Sequence, residues 1–157
     1  MRILLLSIGK LDRTMFAPAA AEYEKRLKRY CDFSALALPE GPQARNDGEI
    51  ARCLQEEGAR ILSHIRPDDF VVTLCIDGAQ YDSMALARKI GRHRDLDGRP
   101  LVFVIGSSHG LSHAVLQRAN ARLSMSKMTF PHQLARVMLC EQLYRAFTIL
   151  QGQPYHK

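Results

Sequence analysis

Residue types able to do chemistry collect in three places along the chain. The first is Gly106-Ser107-Ser108-His109-Gly110, which follows directly on the apolar run Leu101–Ile105. Glycine allows close backbone approach, and amides past the carboxyl end of a parallel strand can line a binding crevice. The spacing is neither GxGxxG nor a P-loop GK[ST], so alone it reads equally well as a tight turn. The second place is residues 123–132, LSMSKMTFPH, where small hydroxyls mix with apolar side chains ahead of a proline. Backbone groups in such a loop can hold an adenine edge while Met and Phe cover its faces. It is equally the pattern of an ordinary strand-to-helix connection. The third is the end of the chain, Pro154-Tyr155-His156-Lys157. It offers an aromatic ring to stack on a base, a titratable imidazole and a cation, although chain ends are commonly frayed.

One further pair is weaker. His109 and His113 stand at helical i, i+4 spacing, but Gly110 and Leu111 intervene and no acid or cysteine is near, so no metal site is expected.

Charge adds a direction. From Arg118 to the end, Arg118, Arg122, Lys127, Arg136, Arg145 and Lys157 face a single acid, Glu141, so this stretch carries most of the net +6. A positive field confined to one end suits a polyanion such as nucleic acid, although charge alone favours a solvated basic face.

Behind these residues must stand elements that position them. Arg2–Ile8, residues 70–76 and Leu101–Ile105 are nearly unbroken apolar runs, the signature of strands covered on both faces. A weaker strand, residues 33–38, ends at Pro39. Helical patterns occupy residues 16–30, a segment capped near Asp47, a segment after Ser83 that closes on the basic group 88–94, and residues 131–151 with Pro131 at the first helical position. Strand–helix alternation predicts a three-layer α/β domain with a parallel sheet, one domain over residues 1–157. The last helix carries more apolar surface than one shallow contact uses, so part of it is expected to face a second copy of the chain. Residues 39–46 form the most polar loop. The scattered cysteines Cys31, Cys53, Cys75 and Cys140 contain no CxxC pair, which fits reduced thiols in a cytoplasmic protein. The opening run is too short for a membrane span and lacks a signal-peptide cleavage pattern, so no membrane association is expected.

Taken together, the segments FVIGSSHGL, LSMSKMTFPHQLARVMLCEQLYRAF and the terminal YHK resemble the ribosomal RNA large-subunit methyltransferase H family. The opening ILLLSIGKL, the AEYEKRL helix and the VVTLCIDG strand match as well, so the likeness spans essentially the whole chain. The resemblance implies a homodimeric SPOUT methyltransferase fold with a C-terminal trefoil knot, which general connection rules would never suggest. It implies S-adenosyl-L-methionine as cofactor and methylation of N3 of a pseudouridine in 23S ribosomal RNA of the large subunit. Carried over by position, the cofactor contacts fall on Leu74, Gly106, Met125, Ser126, Lys127, Met128, Thr129 and Phe130. The family usually has a second glycine where this chain has Ser107, an acid at Cys75 and a basic residue at Ala79.

Methyl transfer from a sulfonium is an in-line displacement, so the enzyme mainly aligns donor and acceptor. The imide N3 must also lose a proton. His156 is the expected base, Tyr155 the platform for the acceptor, and Arg136 and Lys157 the charge stabilisers, with Arg118 and Arg122 as further RNA contacts. Two other classes fit parts of the pattern: a non-catalytic ribosome-binding factor, and a small nucleotide-using α/β enzyme.

Overall fold

The computed structural model describes residues 1–156. Its five parallel strands are β1 (Arg2–Ile8), β2 (Asp32–Leu38), β3 (Phe70–Ala79), β4 (Leu101–Ile105) and β5 (Ala121–Leu123), in the order β2-β1-β4-β3-β5. The helices are α1 (Phe16–Leu27), α2 (Asp47–Ser63), α3 (Ser83–Arg92), α4 (His113–Arg118) and α5 (His132–Leu150), with a π-helical turn His93–Asp97 after α3.

Alternation along the strands separates the layers. Ile3, Leu5, Leu101 and Phe103 point to the face covered by α1, α3 and α5, whereas Leu6, Val102 and Val104 point to the face covered by α2 and α4. Both faces are buried, which is why the strands read as continuous apolar runs. Helix α5 is the centre of its layer, packing on both α1 and α3 with Leu139 and Leu143 wholly buried. Each such leucine contributes roughly 1.5–3 kcal/mol by leaving water. None of the helices among the described residues is long and apolar enough to cross a membrane.

The expected elements are present, with several differences. Helix α2 is capped by Asn46, whose side chain accepts from the Glu49 amide at 2.9 Å, so Asp47 is its first residue. Pro131 stands at the cap position of α5, one residue before the helix begins. Helix α4 and strand β5 were not expected, since six and three residues are too few to display a period.

Candidate active site

Because β4, β3 and β5 are neighbours, Gly106, Leu74 and the segment after Leu123 leave the sheet side by side at its carboxyl edge. Leu74 pairs directly with Leu123. Strand β3 then swings out for four residues and returns with Ala79 opposite the same Leu123. The Ser124 amide donates to the Ala79 carbonyl at 3.0 Å. A Cβ on Gly78 would stand 2.5 Å from the Leu123 carbonyl carbon, so only glycine lets the two backbones pass this closely.

The segment after β5 is braced from below. Ser124 Oγ accepts from Gln80 Nε2 at 3.2 Å and donates to the Ser126 carbonyl at 2.8 Å, while Ser126 Oγ accepts from the Met128 amide at 3.0 Å. The amides of Met125, Ser126, Lys127, Thr129 and Phe130 donate to no protein group among the described residues. Met128 is 72% exposed, whereas Met125 packs against the core. A fixed loop with unspent amides and an exposed thioether is suited to gripping a flat polar ligand by its edge and covering it.

Gly106 serves this crevice differently from the sequence-based reading. An added Cβ there would lie 2.1 Å from the Gly110 carbonyl oxygen, so the glycine makes room for its own loop and not directly for a ligand. The turn is closed by the Gly110 amide donating to the Ser107 carbonyl at 3.0 Å. The Ser107 hydroxyl, which stands where the family usually has a glycine, points into the protein and donates to Glu57 at 2.8 Å. Cys75 is half-buried, and burial raises its thiol above the usual range. The acid nearest in sequence, Asp77, is exposed and paired with Arg122 at 3.2 Å.

The terminal residues dock elsewhere. The Tyr155 hydroxyl donates to Glu141 at 3.1 Å and its ring meets Tyr144 edge-on at 4.8 Å. Arg145 lies 4.7 Å over the same ring, bonds Glu141, and comes within 3.4 Å of His156 Nδ1. Burial, with help from Tyr23 and Glu141, pushes the Tyr155 phenol well above its ordinary value. Glu141 is nine residues beyond His132 on α5. At about 1.5 Å per residue the tail is anchored roughly 14 Å along the helix from the 125–130 segment. Within one chain, then, Tyr155 and His156 are together, and among the described residues neither hydrogen-bonds Leu74, Gly106 or Met125–Phe130. Lys157 lies outside the described residues. Sequence reasoning missed the anchors Glu141 and Arg145, although their i, i+4 spacing is a readable ion-pair signal.

Two basic assignments need correction. Arg136 is 8% exposed and donates to Ser7 Oγ and to Glu24, each at 3.1 Å, so it is a buried link between α5, β1 and α1. It is neither an open phosphate contact nor a neighbour of Tyr155 and His156. Arg118 sits at the opposite, amino-terminal edge of the sheet, where Nη2 donates to the carbonyls of Arg66, Pro67 and Asp69 and Nη1 to Asn120. It holds a loop together. Arg122, by contrast, is exposed on β5 beside the crevice.

His132, the last residue of the 123–132 segment, opens α5, and its Nε2 lies 3.5 Å from where a Gly9 Cβ would stand, with Glu40 Oε2 at 3.6 Å from the same point. Among the described residues no group of three His, Cys, Asp or Glu side chains could hold a metal ion. An apolar cavity of about 490 Å³ between α3, the π turn and β3–β5 has Arg122 and Leu123 in its wall, but none of Leu74, Gly106 or Met125–Phe130 lines it. Two of its charged residues are turned to protein partners, Lys89 over the Tyr81 ring at 4.6 Å and Asp97 on Arg99 at 2.6 Å, and its lining is mainly apolar, unlike the amide-lined crevice.

A parallel α/β domain with a glycine-bounded crevice at the carboxyl edge of its sheet defines a ligand-binding enzyme scaffold. Residues 1–156 match the family described as predicted SPOUT methyltransferase, and the chain belongs to that family. It is an enzyme that transfers methyl groups, and membership of this family implies a methyl donor. The fold is similar to that of a probable methyltransferase from Bordetella pertussis Tohama I, at TM-score 0.58 and 14% identity over 93% of this chain and 94% of that one. It is also similar to a probable methylase family protein from Haemophilus influenzae Rd KW20, at TM-score 0.51 and 14% identity over 99% of this chain and 70% of that one.

Proposed function

We propose that this enzyme uses S-adenosyl-L-methionine to methylate N3 of a pseudouridine in 23S ribosomal RNA, acting in the cytoplasm as a homodimer with a C-terminal trefoil knot. The observation that carries the reading is the convergence of Leu74, Gly106 and Met125–Phe130 at one sheet edge, in a chain of the SPOUT family. The unspent amides of Met125, Ser126, Lys127, Thr129 and Phe130 fit an adenine edge, and Met128 and Phe130 supply apolar cover. When bound, the donor supplies an electrophilic methyl group on a sulfonium with a neutral leaving group.

The acceptor side falls to other residues. Tyr155 provides a face for the base, and His156 takes the proton from N3. Arg145, held in place by Glu141, and Lys157 offset the charge that develops on the imide. Because the tail is anchored far along α5 from its own donor loop, it serves the crevice of the partner subunit. Arg122, exposed beside the crevice, takes an RNA phosphate.

Calorimetric titration with S-adenosyl-L-methionine and, separately, NAD tests the reading, followed by methylation of large subunits with labelled donor. Saturable binding of the first compound alone, with label on one 23S nucleotide, is expected. NAD binding instead would mark a nucleotide-using enzyme. Ribosome association without donor binding would mark a non-catalytic factor.

A further inference from the structure

Glu57 is 2% exposed on α2, and no cation pairs with it among the described residues. A buried carboxyl group without a counter-ion is costly unless hydrogen bonds satisfy it. Three donors do so here. The Ser107 hydroxyl donates to Oε2 at 2.8 Å, the Gly41 amide to Oε1 at 2.8 Å, and the Cys53 thiol to Oε1 at 3.5 Å.

These donors belong to separate segments: the loop after β4, the loop after β2, and α2 itself. Gly41 is pressed so closely on α2 that a Cβ there would stand 2.2 Å from Cys53 Sγ. Ser107 is the second residue of the turn that Gly106 opens and Gly110 closes. The carboxyl group therefore fixes the one side chain of that turn that reaches into the core.

We propose that Glu57 is a positioning residue for methyl-donor binding, acting through Ser107 to hold the 106–110 turn in the shape the donor requires. This rests on the reading that the donor binds at Gly106. The side chain at position 107 is what makes the arrangement possible, since a glycine there would have no hydroxyl to offer.

The experiment is calorimetric titration of S-adenosyl-L-methionine into the intact protein and four variants, each checked for cooperative thermal unfolding. Ser107→Ala is expected to weaken binding by about three- to tenfold, the usual worth of one hydrogen bond. Glu57→Leu should weaken it at least as much. Glu57→Gln should stay within about twofold of the wild type, because its carbonyl can accept from Gly41 and its amide can donate to Ser107. In the double variant, Ser107→Ala should add less than about a twofold change to Glu57→Leu, the mark of two residues acting as one unit.

Wild-type affinity in Ser107→Ala, or independent effects of the two substitutions, would overturn the proposal. A lowered melting temperature with unchanged affinity would also overturn it, by reducing Glu57 to a structural group. If Glu57→Leu does not fold, Ser107→Ala and Glu57→Gln still decide the matter. Absence of donor binding by the wild type would instead bring down the placement of the donor, and this proposal with it.

Discussion

The crevice at the sheet edge and the tail are built on opposite principles. The crevice is made of backbone held by backbone: β3 returns to Leu123 at a contact only Gly78 permits, and the 106–110 turn closes on itself above Gly106. Its side chains brace from beneath, as Ser124 and Ser126 do. The tail is side chain on side chain, with Tyr155 and His156 gathered by Glu141 and Arg145 near the far end of α5. A rigid backbone pocket suits a small ligand that must always bind in one pose. A cluster of ionisable side chains suits, on the proposed reading, a large substrate whose base must be stacked, deprotonated and charge-compensated.

The sharpest way to break this comparison is to remove the tail. Deleting residues 155–157 should leave the fold and donor affinity unchanged while single-turnover methylation of ribosomes falls by about a hundredfold or more, the usual cost of a lost acid–base group. A rate within a fewfold of the intact enzyme would show the tail to be idle. Mixed dimers of tail-deleted and donor-defective subunits should regain activity if each tail serves its partner. Light scattering should then give twice the 17.7 kDa chain mass.

Gly106→Val attacks the other region. A branched side chain would be driven against the Gly110 carbonyl, now 2.1 Å from the position of its Cβ, so the turn must open. Donor affinity should drop by at least about tenfold in a protein that still unfolds cooperatively. Tail contacts with Glu141, read from Tyr155 burial, should be untouched. Unchanged donor affinity would remove Gly106 from the crevice.

What could be read from the sequence follows the same divide. β1 and β4 were legible to the residue because both faces of the sheet are covered and nothing interrupts the apolar runs. β3 was expected to stop at residue 76, since the excursion that carries it to Ala79 depends on pairing with β5, which has no pattern of its own. The crevice residues were marked by glycine and hydroxyl spacing, and the structure gathers them at one edge. Arg118 and Arg136 were misjudged for a physical reason: a cation in sequence looks free, and only the fold supplies the carbonyls and the Glu24 carboxylate that absorb it. Glu57 was invisible on the same grounds. Its partners Gly41 and Ser107 are 16 and 50 residues away.

A milder substitution sharpens the contrast between backbone and side-chain construction. Arg145→Met keeps the stem but removes the guanidinium that bonds Glu141 and lies over Tyr155. Methyl transfer should fall by roughly tenfold, about what one charged hydrogen-bonding partner contributes, with donor affinity unchanged. A loss of donor affinity of similar size would mean that the two regions are not separate.

The smallest effect concerns pH. Tyr155 is the group whose titration should report tail docking, because a phenolate there would lose its bond to Glu141 and face that carboxylate instead. Its folded value is raised by burial first, then by Tyr23 and Glu141. A raised value means that docking contributes its full stability below the unfolded tyrosine value of about 10 and loses it as pH climbs above that point. Phenolate absorbance across alkaline pH should therefore show one tyrosine titrating later than the rest, and Tyr155→Phe should abolish that late step. The crevice has no counterpart, so Tyr155→Phe should leave donor affinity unchanged at neutral pH. If the late step survives in Tyr155→Phe, the delayed tyrosine lies elsewhere and the tail is not docked on Glu141 in solution.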